Sequence, residues 1–196
     1  MASRGMYAGE FVGRRSIFSV RVPERYFRSD GFISTQADAT ARRRGEARFL
    51  TFSCAEGRHF LATRIVQRAI VKTLDDLVAQ GAFTLHAWVL MGNHVHLLLT
   101  PETQSVVLSL SILKMEAARA VIAPRDGSHQ IWERGGGFDR LVWSDQAYWN
   151  IFNYIHFNPV KAGLASTPLD WQWSSARDWQ RRSRHTPPVQ HPLWLP

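Results

Sequence analysis

The chain has almost no cysteine and very little lysine. Cys54 stands alone among 196 residues. That excludes an intrachain disulfide and a thiolate cage for zinc, and makes a reducing cytoplasm the default compartment. Lysine occurs only at Lys72, Lys114 and Lys161. Long apolar runs are missing too. None approaches the ~20 residues of a membrane helix, and Arg14, Arg15, Arg21 and Arg25 interrupt what would have to be a signal peptide. No membrane partner is expected. The one glycine run, Gly135 to Gly137, lacks the Lys-Ser/Thr of a phosphate-cradling P-loop. It reads as a tight turn that lets backbone or DNA approach closely.

Arginine is what the chain has in quantity. The formal net charge is +8 and the sequence pI about 10.5. Guanidinium forks match phosphate oxygens in pairs, and eight Trp and eleven Phe could serve either a core or a base-stacking surface. This composition favours a nucleic-acid partner. The length suits one domain with extensions: a basic arm over 1–46, a domain over 47–180, and an Arg/Pro-rich tail over 181–196. The arm holds nine arginines against five acids. It is either a solvated flexible segment or an electrostatic arm along a phosphate backbone, with Arg42, Arg43 and Arg44 its expected contacts.

Two apolar runs meet at Gly92-Asn93, which is hairpin-turn chemistry. The second run begins His94-Val95-His96. Residues i and i+2 of a strand share a face, so two imidazoles would stand side by side among Val and Leu. Buried there, each needs a partner, and one metal ion satisfies both. The pair alone also fits an ordinary surface strand, and two ligands complete no usual coordination shell.

Further along, the pattern predicts a strand over Arg48 to Cys54 and a helix over Ala62 to Gln80 stopped by Gly81. The helical stripe is Ile65, Val66, Ala69, Ile70, Leu74, Leu77 and Val78. Strict alternation in the first hairpin arm puts Leu85, Ala87, Val89 and Met91 opposite His86, Trp88 and Leu90. A second helix over about Gln104 to Ile122 has the stripe Val107, Leu108, Ile112, Met115, Ala118 and Val121 or Ile122. A strand follows over Phe138 to Trp143. Ser144 then caps a helix that Pro159 should end. Within it, Asn150, Tyr154 and Asn158 lie on one face, apart from the stripe Tyr148, Ile151, Phe152 and Ile155. Strand, helix, strand, strand, helix, strand is the ferredoxin-like βαββαβ pattern. The expected fold class is therefore α+β: an antiparallel sheet with helices on one face, plus the tyrosine helix, with N- and C-terminal extensions.

Such a sheet could carry Tyr154 and Asn158 across the face bearing His94 and His96. Two imidazoles and an amide oxygen form a half-filled site that suits Mg²⁺ or Mn²⁺ better than structural zinc, and a tyrosine hydroxyl beside it could attack phosphorus. Each residue also has a plainer reading. Tyr154 could pack its ring with the hydroxyl in water, and Asn158 could cap the helix before Pro159. His86 and His156 would be ordinary polar residues at element surfaces. Asp139 would pair with Arg140 or Arg134, or stand behind a ligating histidine.

The stretch Met91-Gly92-Asn93-His94-Val95-His96-Leu97-Leu98 resembles the His-hydrophobe-His strand of the HUH nucleases. Tyr154-Ile155-His156-Phe157-Asn158-Pro159-Val160-Lys161-Ala162-Gly163-Leu164 resembles the nucleophile helix of the REP-associated tyrosine transposases, relatives of the single-strand insertion-sequence transposases. Trp132 to Arg140 and Trp173-Ser174-Ser175 also fit, so the resemblance spans about 47–180. It implies a catalytic Tyr154 and the metal ligands His94, His96 and Asn158, with Mg²⁺ or Mn²⁺. The implied reaction is cleavage of single-stranded hairpin DNA at palindromic repeats, with a 5′-phosphotyrosine link and a free 3′-hydroxyl. Arg42, Arg43, Arg44, Arg134, Arg140 and Lys161 are the candidate DNA contacts. A cytoplasmic, nucleoid-associated protein is expected, monomer and homodimer both being open. The triple glycine and the long arm depart from the pattern and bear on which DNA sequence is read. Two other readings stand beside this one: a hairpin-DNA-binding regulator with little or no catalysis, and a nickase of another HUH class.

Overall fold

The computed structural model describes residues 46–121, 130–135 and 137–182. The arm with Arg42, Arg43 and Arg44 and the tail from 183 onward lie outside the described residues. Four strands, β1 (Arg48–Ser53), β2 (Phe83–Leu90), β3 (His94–Pro101) and β4 (Phe138–Leu141), form an antiparallel sheet in the order β2-β3-β1-β4. The helices are α1 (Arg64–Ala79), α2 (Val106–Ala120), α3 (Asp145–Lys161) and α4 (Ala176–Arg182). The architecture is α+β with the expected βαββαβ order.

Alternation along the strands sends side chains into two cores. Leu50, Phe52, Val95, Leu97 and Leu99 pack on one face with Val66, Ile70, Leu74 and Leu77 of α1 and Leu113 and Ala117 of α2. On the other face Leu98, Ala87 and Val89 meet Tyr148, Phe152 and Ile155 of α3. His94 and His96, in phase with Leu98, therefore face α3. No described helix is long and apolar enough to cross a membrane.

Strict alternation fails in β2. The register against β3 slips between Leu85 and Ala87, a bulge at His86 that puts Leu85 and Trp88 on the same side. His86 and His156 are not at element surfaces. They are 2% and 0% exposed, and their Nε2 atoms pair with Thr100 Oγ1 and Ser175 Oγ, both at 2.8 Å.

The stripes of α1 and α2 also differ from expectation. Ile65 is 63% exposed while Gln67 and Thr73 are buried, Thr73 donating its hydroxyl back to Ala69 O. In α2, Val107, Leu108 and Met115 face solvent, and the buried row is Ser109, Leu113 and Ala117. This helix is apolar nearly all round, so periodicity alone does not select its buried side.

Pro159 does not end α3. The helix continues to Lys161 and closes with Gly163 N–H donating to Val160 O and Leu164 N–H to Pro159 O, which satisfies the last free carbonyls. Ser144 caps the start by accepting from Ala147 N–H. Asn158 is thus inside the helix and does not cap it.

Candidate active site

The helix α3 lies over β2 and β3, and two repeats coincide. Four helical residues advance about 6 Å and two strand residues about 6.6 Å. A pair at i and i+4 on α3 can therefore sit over a pair at i and i+2 on β3. Tyr154 stands over His96, ring centroids 5.2 Å apart, and the Asn158 side chain lies close enough to His94 to raise its pKa. The two imidazoles are themselves 4.8 Å apart. Phe49 of β1 closes the side, stacked on His96 at 5.5 Å and edge-on to Tyr154 at 6.0 Å.

Each imidazole is held by its Nδ1. His94 Nδ1 donates to Asn93 Oδ1 at 2.7 Å, and Asn93 Nδ2 donates to Gly57 O at 3.2 Å. His96 Nδ1 pairs with Thr51 Oγ1 at 2.7 Å, across the register that sets Thr51 against His96. These contacts fix ring orientation and leave the Nε2 side for other work. His96 Nε2 is buried and has no hydrogen-bond partner among the described residues.

Burial first, and His94 second, push the His96 pKa down to about 3. That of His94 is lowered by burial, with Asn158 opposing and His59 adding a little. Both rings are neutral near pH 7, the form that offers a lone pair to a metal. Among the described residues no three His, Cys, Asp or Glu converge, and the Asn158 amide beside His94 offers an oxygen donor to the pair. A divalent cation would give the orphaned His96 Nε2 its missing partner. On that observation, His94, His96 and Asn158 fit a hard cation with open positions.

The remaining expected residues separate. Arg140 is exposed on β4 opposite Phe49, hence on the histidine face. Arg134 follows Glu133, whose N–H donates to Ser53 O beside His94. That segment is held by Trp132, whose Nε1–H donates to Lys114 O at 2.9 Å. Lys161 is exposed on the last turn of α3. Asp139 belongs to neither expected role: it takes both prongs of Arg48 at 2.8 and 2.9 Å on the other face of the sheet, away from the histidines.

No local sequence pattern marks Thr51, Asn93 as an orienting group, or His59. A Cβ on Gly92 would come within 2.6 Å of His59 Nδ1, so the loop carrying His59 lies directly on the hairpin turn. Trp173-Ser174-Ser175 also acquires a reason. Leu90 N–H donates to Trp173 O and Trp88 N–H to Ser175 Oγ, so the segment covers the outer edge of β2. Through His156, Ser175 ties that edge to the tyrosine helix.

Fold and site together define a ferredoxin-like α+β protein with a helical tyrosine set over a strand His-x-His pair. A solved structure described as a REP-associated tyrosine transposase bound to a REP hairpin matches it at TM-score 0.58 and 23% identity, covering 78% of this chain and 87% of that one. The chain shares the fold of that transposase. A protein of Deinococcus radiodurans R1, provisionally described as a transposase, matches at TM-score 0.40 and 20% identity over 57% of this chain and 88% of that one. No protein-family model and no curated protein sequence matches the chain.

Proposed function

We propose that this chain is a single-strand DNA transesterase of the REP-associated tyrosine transposase kind, acting at hairpins formed by palindromic repeats. The observation that carries the proposal is the paired register of Tyr154 over His96 and Asn158 against His94. It is supported by a shared fold with a transposase whose structure contains a REP hairpin and by the net charge of +8.

Tyr154 is assigned as the nucleophile. Its Oη forms a bond to the scissile phosphorus while the bond from phosphorus to the 3′ oxygen breaks. The phenolic proton passes to solvent, and the departing oxygen takes up a proton to become a free 3′-hydroxyl. The fragment on the 3′ side of the cut stays on the enzyme through its 5′-phosphate as a phosphotyrosine diester, which conserves the bond for a later strand transfer. Thr51 and Asn93 hold the imidazoles at fixed rotation, and burial keeps them neutral. His94, His96 and Asn158 would hold Mg²⁺ or Mn²⁺, which when bound supplies polarisation and charge neutralisation at the phosphate. Arg134, Arg140 and Lys161, with Arg42, Arg43 and Arg44 of the arm, are assigned to the DNA backbone. Residues 47–180 form the proposed catalytic unit, and 1–46 and 181–196 its basic extensions.

The test is a labelled single-stranded hairpin oligonucleotide incubated with protein and Mg²⁺ or Mn²⁺. An adduct that survives denaturing electrophoresis should form with the wild type and with Tyr148→Phe. It should be absent with Tyr154→Phe, which keeps the ring and still binds hairpin. Cleavage by Tyr154→Phe would overturn the assignment in favour of water as nucleophile. Tight hairpin binding by the wild type without any cleavage would leave the regulator reading.

A further inference from the structure

One large apolar side chain on the reactive face has no core to serve. Phe138 opens β4, which among the described residues is an edge strand of the sheet, and is 52% exposed. Its register partner is Thr51, whose own partner on the far side is His96. So Phe138, Thr51 and His96 form one cross-strand row, with Phe138 about 10 Å from the histidine at ~4.8 Å per strand. The rings are continuous along this path: Phe138 meets Phe49 edge-on at 5.9 Å, and Phe49 contacts both His96 and Tyr154. Two residues on, Arg140 lies on the same face opposite Phe49 and is exposed. An edge strand carrying a half-exposed aromatic is a liability for aggregation unless something uses it.

We infer that Phe138 and Arg140 form a stacking platform for the single-stranded DNA segment next to the scissile phosphate. A base has a flat apolar face that fits an exposed phenyl ring, and the following phosphate fits a guanidinium beside it. The exposed ring lies within a nucleotide or two of Tyr154, and the cation on the same four-residue strand selects a polyanion over an apolar protein partner. The platform reads no sequence, since every base has such a face; it fixes how the strand enters. The inference rests on the proposed function in its choice of substrate, but its test does not require cleavage.

The experiment measures binding in the Tyr154→Phe background. Hairpins with a single-stranded extension carry the fluorescent base 2-aminopurine at successive positions, and a blunt hairpin without extension is the comparison. Phe138 should quench the probe at one or two positions only. Phe138→Ala should relieve that quench and weaken the extended hairpin by about 10-fold or more, leaving the blunt hairpin unchanged. Phe138→Trp should restore both. Leu108→Ala, an exposed apolar change on α2 across the sheet, should alter neither. Equal affinity of Phe138→Ala and its parent for the extended hairpin would overturn the inference. So would an equal loss on the blunt hairpin, or a similar loss with Leu108→Ala. If the wild type forms no adduct while Phe138 still quenches, the proposed chemistry fails and the platform stands. If the adduct forms and Phe138→Ala binds normally, the reverse holds.

Discussion

Thr51 and His156 are the single residues on which the site's behaviour turns most sharply. Thr51 is assigned no ligand role, yet its hydroxyl is the partner of His96 Nδ1. Thr51→Val keeps the shape and removes the hydrogen bond, so the imidazole is free to rotate. Mn²⁺ affinity, followed by calorimetry, should fall about 10- to 100-fold with the melting temperature little changed; unchanged affinity would show that His96 is oriented by packing alone. His156 is wholly buried and its pKa is pushed down to about 3, as is that of His96. Between about 3 and the unfolded value near 6.5, the unfolded chain binds protons that the folded protein excludes. Stability from these rings is therefore complete above that window and is lost as pH falls through it. Without metal, the melting temperature should drop from pH 7 to pH 4. His156→Gln should melt lower throughout and show a shallower drop. The four candidate catalytic and metal residues were legible because each pair rests on a local repeat, two for the strand and four for the helix. Their holders were not: Thr51 lies 45 residues from His96 in sequence, and only strand pairing brings them together.

At the scale of elements, two joints can be tested. The entry to β4 passes through Gly137, with φ +103°, where a Cβ would lie 2.3 Å from Thr51 O. Gly135 is also at positive φ, +94°, but has nothing within 4 Å. Gly137→Ala should therefore cost more than the roughly 1–3 kcal/mol of backbone strain alone, and Gly135→Ala only that strain, both read from urea unfolding. Equal losses would mean that β4 shifts freely away from β1. On α1, Asp75 has a buried Oδ1 with no hydrogen-bond partner among the described residues, and its pKa is raised to about 6 by burial, then by Asp76 and Asp178. Here the folded protein holds its proton more tightly than the unfolded chain, so the group destabilises at neutral pH and the penalty fades as pH falls through about 6 toward the unfolded value near 4. Asp75→Asn should raise the melting temperature at pH 7 by about 2–4 °C, after allowance for solvent screening, and have no effect at pH 4. The element order was readable because helix and strand periods differ. The faces of β2 and α2 were not, because the bulge at His86 has no local signal and α2 offers apolar residues on both sides.

For the whole molecule, the governing quantity is charge placed on one chemistry. With a net +8 carried mostly by arginine, hairpin affinity should fall by about 10³-fold between roughly 50 and 200 mM salt if six or more phosphates are contacted. A single-stranded hairpin with an extension should bind more tightly than the matching perfect duplex, since both the nucleophile and the platform need unpaired strand; equal affinity at physiological salt would count against that substrate. Arg42, Arg43 and Arg44 belong to this scale. Replacing all three with Gln should reduce the slope of log affinity on log salt by up to about 3 without changing the cleavage product, and an unchanged slope would exclude the arm from the DNA backbone.

If Tyr154, set over His96 by the match of helical and strand repeats, is the nucleophile, it becomes covalently bound to DNA. Mass spectrometry of the trapped and digested adduct addresses it directly, because the chain has only four tyrosines, Tyr7, Tyr26, Tyr148 and Tyr154. Fragmentation should locate a nucleotide 5′-phosphate on Tyr154 alone, in material formed only when Mg²⁺ or Mn²⁺ is present. A nucleotide on Tyr148, Tyr7 or Tyr26, or a cleaved hairpin with all four tyrosines unmodified, would rule out Tyr154 as the nucleophile.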